Sequence, residues 1–256
     1  MTSTTAAAPP KGPPAAVPFE RAEAVILGAL DSWVRDLYYM PFWRRVGTDP
    51  DATNLLYGWA VENFHYTASV RRHITPVIQC NTGVVHGLSH RLLVHLSEEW
   101  DHPHLFLEAA RRIAKASGSD EDPSRSRPLA ATRSLATFLR QAGRVHPIVY
   151  KSCAATLERT AVRIEETRVF YHHVAKVLNL PTAAVAPFIA HAETDESYEH
   201  LNSLREFRDD IDVVETAVVD AALTHAREFV HLYRSWQAAI SEHYGRYPAG
   251  HGSLPS

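Results

Sequence analysis

The sequence predicts an all-α protein, and three observations support this fold class. Apolar residues recur every three or four positions along each long segment, which is the spacing of one helical face. No segment shows the alternation of apolar and polar residues that is typical of a half-buried strand. Stretches rich in proline and glycine separate the periodic segments. We therefore expect a bundle of about seven helices whose polar ligands face inward.

Composition limits the domain organisation and the classes of partner. The 256 residues carry a formal charge of −3 and contain no basic stripe and no run of about 18 apolar residues, so we expect neither nucleic-acid nor membrane binding. We expect one helical domain at 19–246, between disordered tails at 1–18 and 247–256. The first segment lacks the features of a secretory signal, and Cys80 and Cys153 form no metal-binding pattern. We therefore expect a cytoplasmic protein.

Seven periodic segments are the predicted helices. They lie at residues 19–39, 55–79, 88–117, 129–143, 147–178, 187–204 and 206–244. The second is expected to bend or end near Pro76, because an internal proline removes a helical hydrogen bond. The third is expected to break near His102, because the residue before a proline disfavours the helical conformation, whereas Pro103 suits the first turn of a new helix.

The sixth helix places three functional side chains on one face. His191, Asp195 and Tyr198 stand at i, i+4 and i+7, which aligns an imidazole, a carboxylate and a phenol. Such a face is half of a metal site. A solvated helix carries the same residue types, so this segment alone leaves both interpretations open.

Two Glu-x-x-His motifs strengthen the metal interpretation. Glu62 and His65 form one on the second helix, and Glu99 and His102 form the other on the third. Paired motifs of this kind, with carboxylates from further helices, hold two metal ions in helical bundles. His95 and Glu158 are further candidate ligands; His95 shares the face of Glu99 and His102, and Glu158 lies on an apolar helix. Mixed imidazole and carboxylate ligation suits iron or manganese better than structural zinc.

Four phrases of the sequence, AVENFHY, HLSEEWDHPHLF, CAATLERTA and FIAHAETDESYEH, resemble the heme-oxygenase-like superfamily over roughly residues 20–245. That superfamily includes thiaminase II, pyrroloquinoline quinone synthase and the heme-oxygenase-like diiron oxidases. The resemblance implies a heme-oxygenase-like helical bundle. By its match to the diiron branch, it also implies that His102, Glu158, His191 and Asp195 are metal ligands.

Two positions depart from the diiron pattern. Tyr198 stands where that pattern has its last histidine, and His95 stands where it has a glutamate. A phenol binds Fe(III) but replaces imidazole poorly on Fe(II). Glu62 or Glu99 could supply the missing carboxylate; alternatively the site could hold one metal, or none, as in the metal-free members of the superfamily. We include Glu62, Glu99 and His95 in the candidate ligand set and assign Tyr198 a catalytic role.

The resemblance implies an enzyme that activates O₂ with Fe(II), two ions per chain, to oxidise an amine, an amino acid or an aliphatic acid. A metal-free enzyme of the same fold is the first alternative, either a cofactor-independent oxidase or a thiaminase-like hydrolase. Neither Cys80 nor Cys153 lies in an obvious nucleophile context, which gives the hydrolase no support. The second alternative is a non-enzymatic small-molecule-binding protein. A small-molecule substrate is the expected partner, and a homodimer is compatible with the sequence.

Overall fold

Helices form nearly all of the ordered architecture of the chain. The computed structural model describes residues 15–37, 40–80, 86–160, 164–197 and 204–245. Within these ranges the chain forms eleven α-helices and one two-stranded antiparallel sheet. The predicted all-α class is therefore confirmed.

The helices and strands have the following bounds, in chain order. They are β1 (Ala16–Pro18), α1 (Phe19–Arg35), α2 (Pro41–Thr48), α3 (Thr53–Thr67), α4 (Val70–Cys80), α5 (His86–Glu98), α6 (His102–Ala116), α7 (Ala130–Val145), α8 (Pro147–Glu158), α9 (Ile164–Val177), α10 (Thr182–Ser197), β2 (Val213–Glu215) and α11 (Thr216–Tyr244). Short 3₁₀ helices span Pro123–Arg125 and Arg205–Phe207.

The described helices outnumber the predicted seven because three predicted helices are divided and α2 (Pro41–Thr48) was not predicted. The segment 55–79 bends between α3 and α4, and Pro76 lies inside α4 rather than ending it. The segment 88–117 divides between α5 and α6, with Pro103 in the first turn of α6 as expected. The segment 147–178 divides after Glu158, where α8 ends.

The small sheet was not predicted. Ala16 pairs with Glu215, and Pro18 pairs with Val213. Strands of three residues are too short for alternation to be recognisable in a sequence. Three residues of the predicted N-terminal tail therefore pair with the segment that leads into α11.

Helix α3 lies inside the bundle and is buried along almost its whole length. It packs against α6 and α11, while α8 packs against α11 and α10 packs against α6. Gly58 permits the close approach of α3 to α11, since a Cβ atom there would overlap the ring of Tyr244. These packings bring α3, α6, α8, α10 and α11 around one interior cavity. None of the described helices combines the length and hydropathy needed to cross a bilayer.

Candidate metal centre

A cavity of about 390 Å³ lies inside the bundle and has two kinds of lining. The aromatic part of its lining, here called the aromatic wall, consists among the described residues of Trp43, Trp59, Tyr66, Phe106, Tyr150, Phe170, Tyr171, Phe188 and Tyr233. The second kind, here called the polar cluster, consists of His95, Glu99, His102, Glu158, His191 and Asp195. The cavity therefore combines a group of potential metal ligands with an apolar space for a small molecule.

Three members of the polar cluster converge most closely. His102, His191 and Asp195 each present one potential ligand atom, and these atoms all lie within 4.8 Å of one another. His191 Nδ1 lies 3.1 Å from Asp195 Oδ2, as their i, i+4 spacing on α10 requires. His102 Nε2, from the start of α6, lies 3.8 Å from Asp195 Oδ1. The two imidazole rings are 4.5 Å apart between centroids.

Glu99 fixes the orientation of His102. His102 Nδ1 donates to Glu99 Oε2 at 2.8 Å, so His102 Nε2 is the nitrogen that faces Asp195. A carboxylate bound to one imidazole nitrogen sets the tautomer that presents the other nitrogen to a metal. Burial alone would raise the pKa of Glu99, but the hydrogen bond from His102 and the positive charges of His102 and His95 lower it to about 2. Glu99 is therefore an anion at neutral pH.

His95 and Glu158 extend the polar cluster beyond these residues. His95 Nε2 lies 3.9 Å from Glu99 Oε1, and Glu158 is the last residue of α8.

Two tyrosines of the aromatic wall lie close to these carboxylates. Burial raises the pKa of Tyr66 and of Tyr150, and the charges of Glu99 and Glu158 raise both pKa values further. The two phenols therefore remain protonated beside the carboxylates.

The structure does not bring Glu62 to the polar cluster, contrary to its inclusion in the candidate ligand set. Its carboxylate accepts hydrogen bonds from the Leu129 N–H at 3.0 Å, from the Thr132 hydroxyl, and from the Tyr244 hydroxyl at 3.0 Å. His65, from the same motif, lies 2.9 Å from Ser126 Oγ through its Nε2. Both residues face away from the cavity, and Glu62 instead connects α3 to α7 and α11.

Tyr198 lies outside the described residues, since the described part of α10 ends at Ser197. Its assigned catalytic role therefore stays a prediction. His191 and Asp195, its predicted neighbours on the same face, do meet in the cavity.

Several polar side chains that line the cavity were not among the predicted site residues, and the two most deeply buried of them are His73 and Gln237. His73 of α4 and Gln237 of α11 both line it, with exposures of 2% and 0%. Gln237 had a recognisable signal, because it is the polar residue in an otherwise apolar stretch of the last helix, SWQAAI. His73 could be placed on a helix from its sequence context, but the bend between α3 and α4 decides where it points.

The donor set of the convergent triad fits a redox metal. Two imidazoles and one carboxylate that leave positions open are typical of non-heme Fe(II) sites, whereas structural zinc sites are closed and often contain thiolates. Burial raises the pKa of the Cys153 thiol, which disfavours both thiolate ligation and a nucleophilic role for this residue.

Solved structures share this arrangement of helices. A domain of unknown function with a heme oxygenase-like fold from Shewanella denitrificans OS217 is 21% identical, with a TM-score of 0.66 over 90% of this chain and 94% of that chain. A TenA homolog from Pseudomonas syringae pv. tomato str. DC3000 is 11% identical, with a TM-score of 0.58 over 91% of this chain and 98% of that chain. The chain therefore has a heme oxygenase-like fold, as its sequence resemblance implied. No protein-family model and no curated protein matches the sequence.

Proposed function

We propose that this protein is an Fe(II)-dependent oxidase or oxygenase that uses O₂ to oxidise a small organic molecule. The observation that supports the proposal most strongly is the convergence of His102, His191 and Asp195 within 4.8 Å at a cavity with aromatic walls. Buried imidazoles and carboxylates without a metal among them are expensive to maintain, whereas a bound cation compensates their charge.

The triad would hold the first metal ion through His102 Nε2, an imidazole nitrogen of His191 and a carboxylate oxygen of Asp195. When bound, Fe(II) supplies the electrons and the open coordination positions that O₂ chemistry requires. A second ion would use Glu158 and His95, with Glu99, whose Oε1 lies 3.9 Å from His95 Nε2, as a further candidate ligand. The proposed stoichiometry is therefore two ions per chain.

The protein's own residues orient the ligands and shelter the reaction. Glu99 accepts the hydrogen bond from His102 Nδ1 and so directs Nε2 toward Asp195, where a metal ion could bind it. Phe106 packs on His191, with ring centroids 4.6 Å apart, and restricts rotation of this imidazole. The aromatic wall makes the space beside the triad largely apolar, which would limit side reactions of reactive species with water.

Metal loading under anaerobic conditions tests the proposal. We expect close to two Fe(II) per chain by elemental analysis, and O₂ consumption on addition of a substrate. His102→Ala and Asp195→Ala should each remove most of the metal. His104→Ala is the matched control, because His104 is exposed on the same helix two residues from His102.

Two outcomes would contradict the proposal. Less than a few tenths of an ion per chain after careful loading would leave the metal-free enzyme or a binding protein as the better interpretation. Equal metal content in His102→Ala, Asp195→Ala and His104→Ala would place any bound metal elsewhere.

A further inference from the structure

Two buried polar side chains outside the polar cluster, Gln237 and His73, also line the cavity. Both side chains are almost fully buried. The amide oxygen and nitrogen of Gln237 and the Nε2 atom of His73 have no hydrogen-bond partner among the described residues. Buried polar groups in proteins are normally paired with protein, water or ligand, so three such atoms at one cavity indicate a binding site for a polar group.

The Nε2 nitrogen of His73 is available to a ligand in the cavity. Its Nδ1 lies 2.9 Å from the Tyr150 hydroxyl. Burial lowers the pKa of His73 to about 3, against the opposing charge of Glu99, so the imidazole is neutral. In the tautomer in which the Tyr150 hydroxyl donates to Nδ1, the single imidazole proton resides on Nε2.

Gln237 presents a donor and an acceptor together. It stands four residues after Tyr233 on α11, so the two side chains share the helical face that lines the cavity. The preceding residue, Trp236, donates its Nε1–H to Thr132 Oγ1 at 2.8 Å and is fully buried, which fixes the rotation of α11 at this point. The amide of Gln237 is therefore held in place by the packing of its helix.

The charges around the cavity favour an uncharged ligand. None of its described lining residues is a lysine or an arginine, whereas Glu99, Glu158 and Asp195 all contribute carboxylates. An anionic ligand would find no lysine or arginine among these residues, while an amide could both donate to and accept from Gln237. The volume of about 390 Å³ and the aromatic wall suit a small flat molecule.

We propose that Gln237 and His73 bind the carboxamide group of a small uncharged aromatic amide, with its ring against the aromatic wall beside His102, His191 and Asp195. Gln237 accepts from the ligand N–H and donates to its carbonyl oxygen, and His73 Nε2 donates to the same carbonyl. The assignment of this amide as the substrate rests on the proposed function. Its binding requires no metal.

Calorimetry on the full-length, metal-free protein tests the amide site. Naphthalene-2-carboxamide is the probe, and naphthalene-2-carboxylate is its matched anion. We expect the amide to bind at least tenfold more tightly than the carboxylate, because only the amide offers a donor to Gln237 and carries no charge. Equal affinities, tighter binding of the carboxylate, or no binding of either compound would overturn the proposal.

Variants of the two side chains locate the binding. Gln237→Leu and His73→Phe should each weaken amide binding at least tenfold, whereas Gln141→Leu, at an exposed position of α7, should leave it unchanged. Gln237→Met provides an unbranched replacement if the leucine variant does not fold. Unchanged amide affinity in a folded Gln237 variant would contradict the assignment.

The test is separable from that of the proposed function. If the protein binds the amide but cannot be loaded with metal, the amide-binding site is supported and only the assignment of the amide as substrate is contradicted. If the protein can be loaded with metal but does not bind the amide, the metal centre is supported and the proposal of an aromatic amide as ligand is refuted.

Discussion

His102 Nδ1 lies 2.8 Å from Glu99 Oε2, and this contact turns the opposite ring nitrogen of His102 toward Asp195, 3.8 Å away. Glu99 belongs to the short connection between α5 and α6, whereas His102 begins α6 and Asp195 belongs to α10. Glu99 and His102 of the Glu-x-x-His motif therefore remain in contact although the helix breaks between α5 and α6. The break allows the Glu99 carboxylate to bind His102 Nδ1 while Nε2, on the opposite side of the ring, faces Asp195.

Glu99→Gln should weaken metal binding without abolishing it. The amide of glutamine cannot match the charge that stabilises the donating His102 N–H, and loss of such a supporting carboxylate typically lowers metal affinity by about 10–100-fold. Competition with a chelator under anaerobic conditions would measure the change. Asp195→Ala should cost far more affinity, so an equal loss in the two variants would contradict their different roles.

The stability of the metal-free protein should depend on Glu99 at acidic pH. The pKa of Glu99 is about 2 in the folded protein and 4.5 as its ordinary value. The folded state therefore binds this proton less readily, and the contribution to the free energy of unfolding is complete above pH 4.5 and declines as the pH falls toward 2. The full contribution of Glu99 to the free energy of unfolding is roughly 3 kcal/mol, because each pKa unit corresponds to about 1.4 kcal/mol.

Denaturant titrations of wild type and Glu99→Gln between pH 3 and pH 6 would test this dependence. The difference in unfolding free energy between the two proteins should be largest near pH 6 and should narrow toward pH 3. A difference that stays constant over this range would show that the ionisation of Glu99 does not stabilise the fold.

Helical spacing in the sequence accounts for part of the site. His191 and Asp195 were expected on one face of a helix, and that local geometry required no knowledge of the neighbouring helices. Their meeting with His102 depends on the packing of α10 against α6, and the sequence suggested it only through a resemblance to known proteins. Spacing within one helix cannot state which other helix faces it.

The direction in which Glu62 points, in contrast, did not follow from its spacing in the sequence. The Glu-x-x-His spacing correctly predicted that Glu62 and His65 lie one turn apart. Because α3 is buried on most sides, however, a buried glutamate on this helix can face any of several neighbouring helices. Asn63, Tyr66 and Thr67 face the cavity, whereas Glu62 faces α7 and α11. The orientation of Glu62 becomes apparent only from the hydroxyl groups of Thr132 and Tyr244 that donate to its carboxylate.

Glu62→Leu should destabilise the fold and leave the metal content unchanged. The substitution leaves the Leu129 N–H and the hydroxyls of Thr132 and Tyr244 without their acceptor, at about 1–3 kcal/mol for each buried unpaired donor. We expect a loss of at least about 2 kcal/mol in the free energy of unfolding.

Glu108→Leu is the matched control for Glu62→Leu. Glu108 is exposed and pairs with Arg112 one turn along α6, an interaction worth about 0.3–0.5 kcal/mol. Denaturant unfolding and elemental analysis would compare the two variants. A reduced metal content in folded Glu62→Leu would mean that Glu62 is a ligand after all.

Alanine substitution at two helical glycines should have opposite effects. At Gly58 an added Cβ would overlap the ring of Tyr244, and overpacking of this kind typically costs about 1–3 kcal/mol. At Gly28 of α1 nothing lies within 4 Å of the added atom, so the gain in helix propensity should stabilise the protein by about 0.5–1 kcal/mol. Thermal unfolding of both variants would measure the contrast, and equal shifts would contradict the close packing of α3 on α11.

Tyr198 is where this sequence departs from the diiron pattern, and its role remains a prediction because it lies outside the described residues. Its position three residues after Asp195 would place it on the face of α10 that carries His191 and Asp195, if the helix continues. A phenolate bound to Fe(III) gives a visible charge-transfer band, so we expect the iron-loaded protein to become coloured on exposure to O₂. Tyr198→Phe should abolish this colour and leave the fold intact, because it removes one hydroxyl and little packing.

Two further variants decide whether Tyr198 is a ligand. Tyr171→Phe is the control, because Tyr171 belongs to the aromatic wall and stacks on Phe188 with ring centroids 4.7 Å apart, so its loss should leave the colour unchanged. Tyr198→His restores the imidazole of the diiron pattern and should tighten binding of the second Fe(II), since imidazole is the better ligand for that ion. A colourless oxidised protein whose iron stoichiometry and affinity are the same in Tyr198→His would exclude Tyr198 as a ligand. The second ion would then depend on His95, Glu99 and Glu158 alone, or the centre would hold one metal.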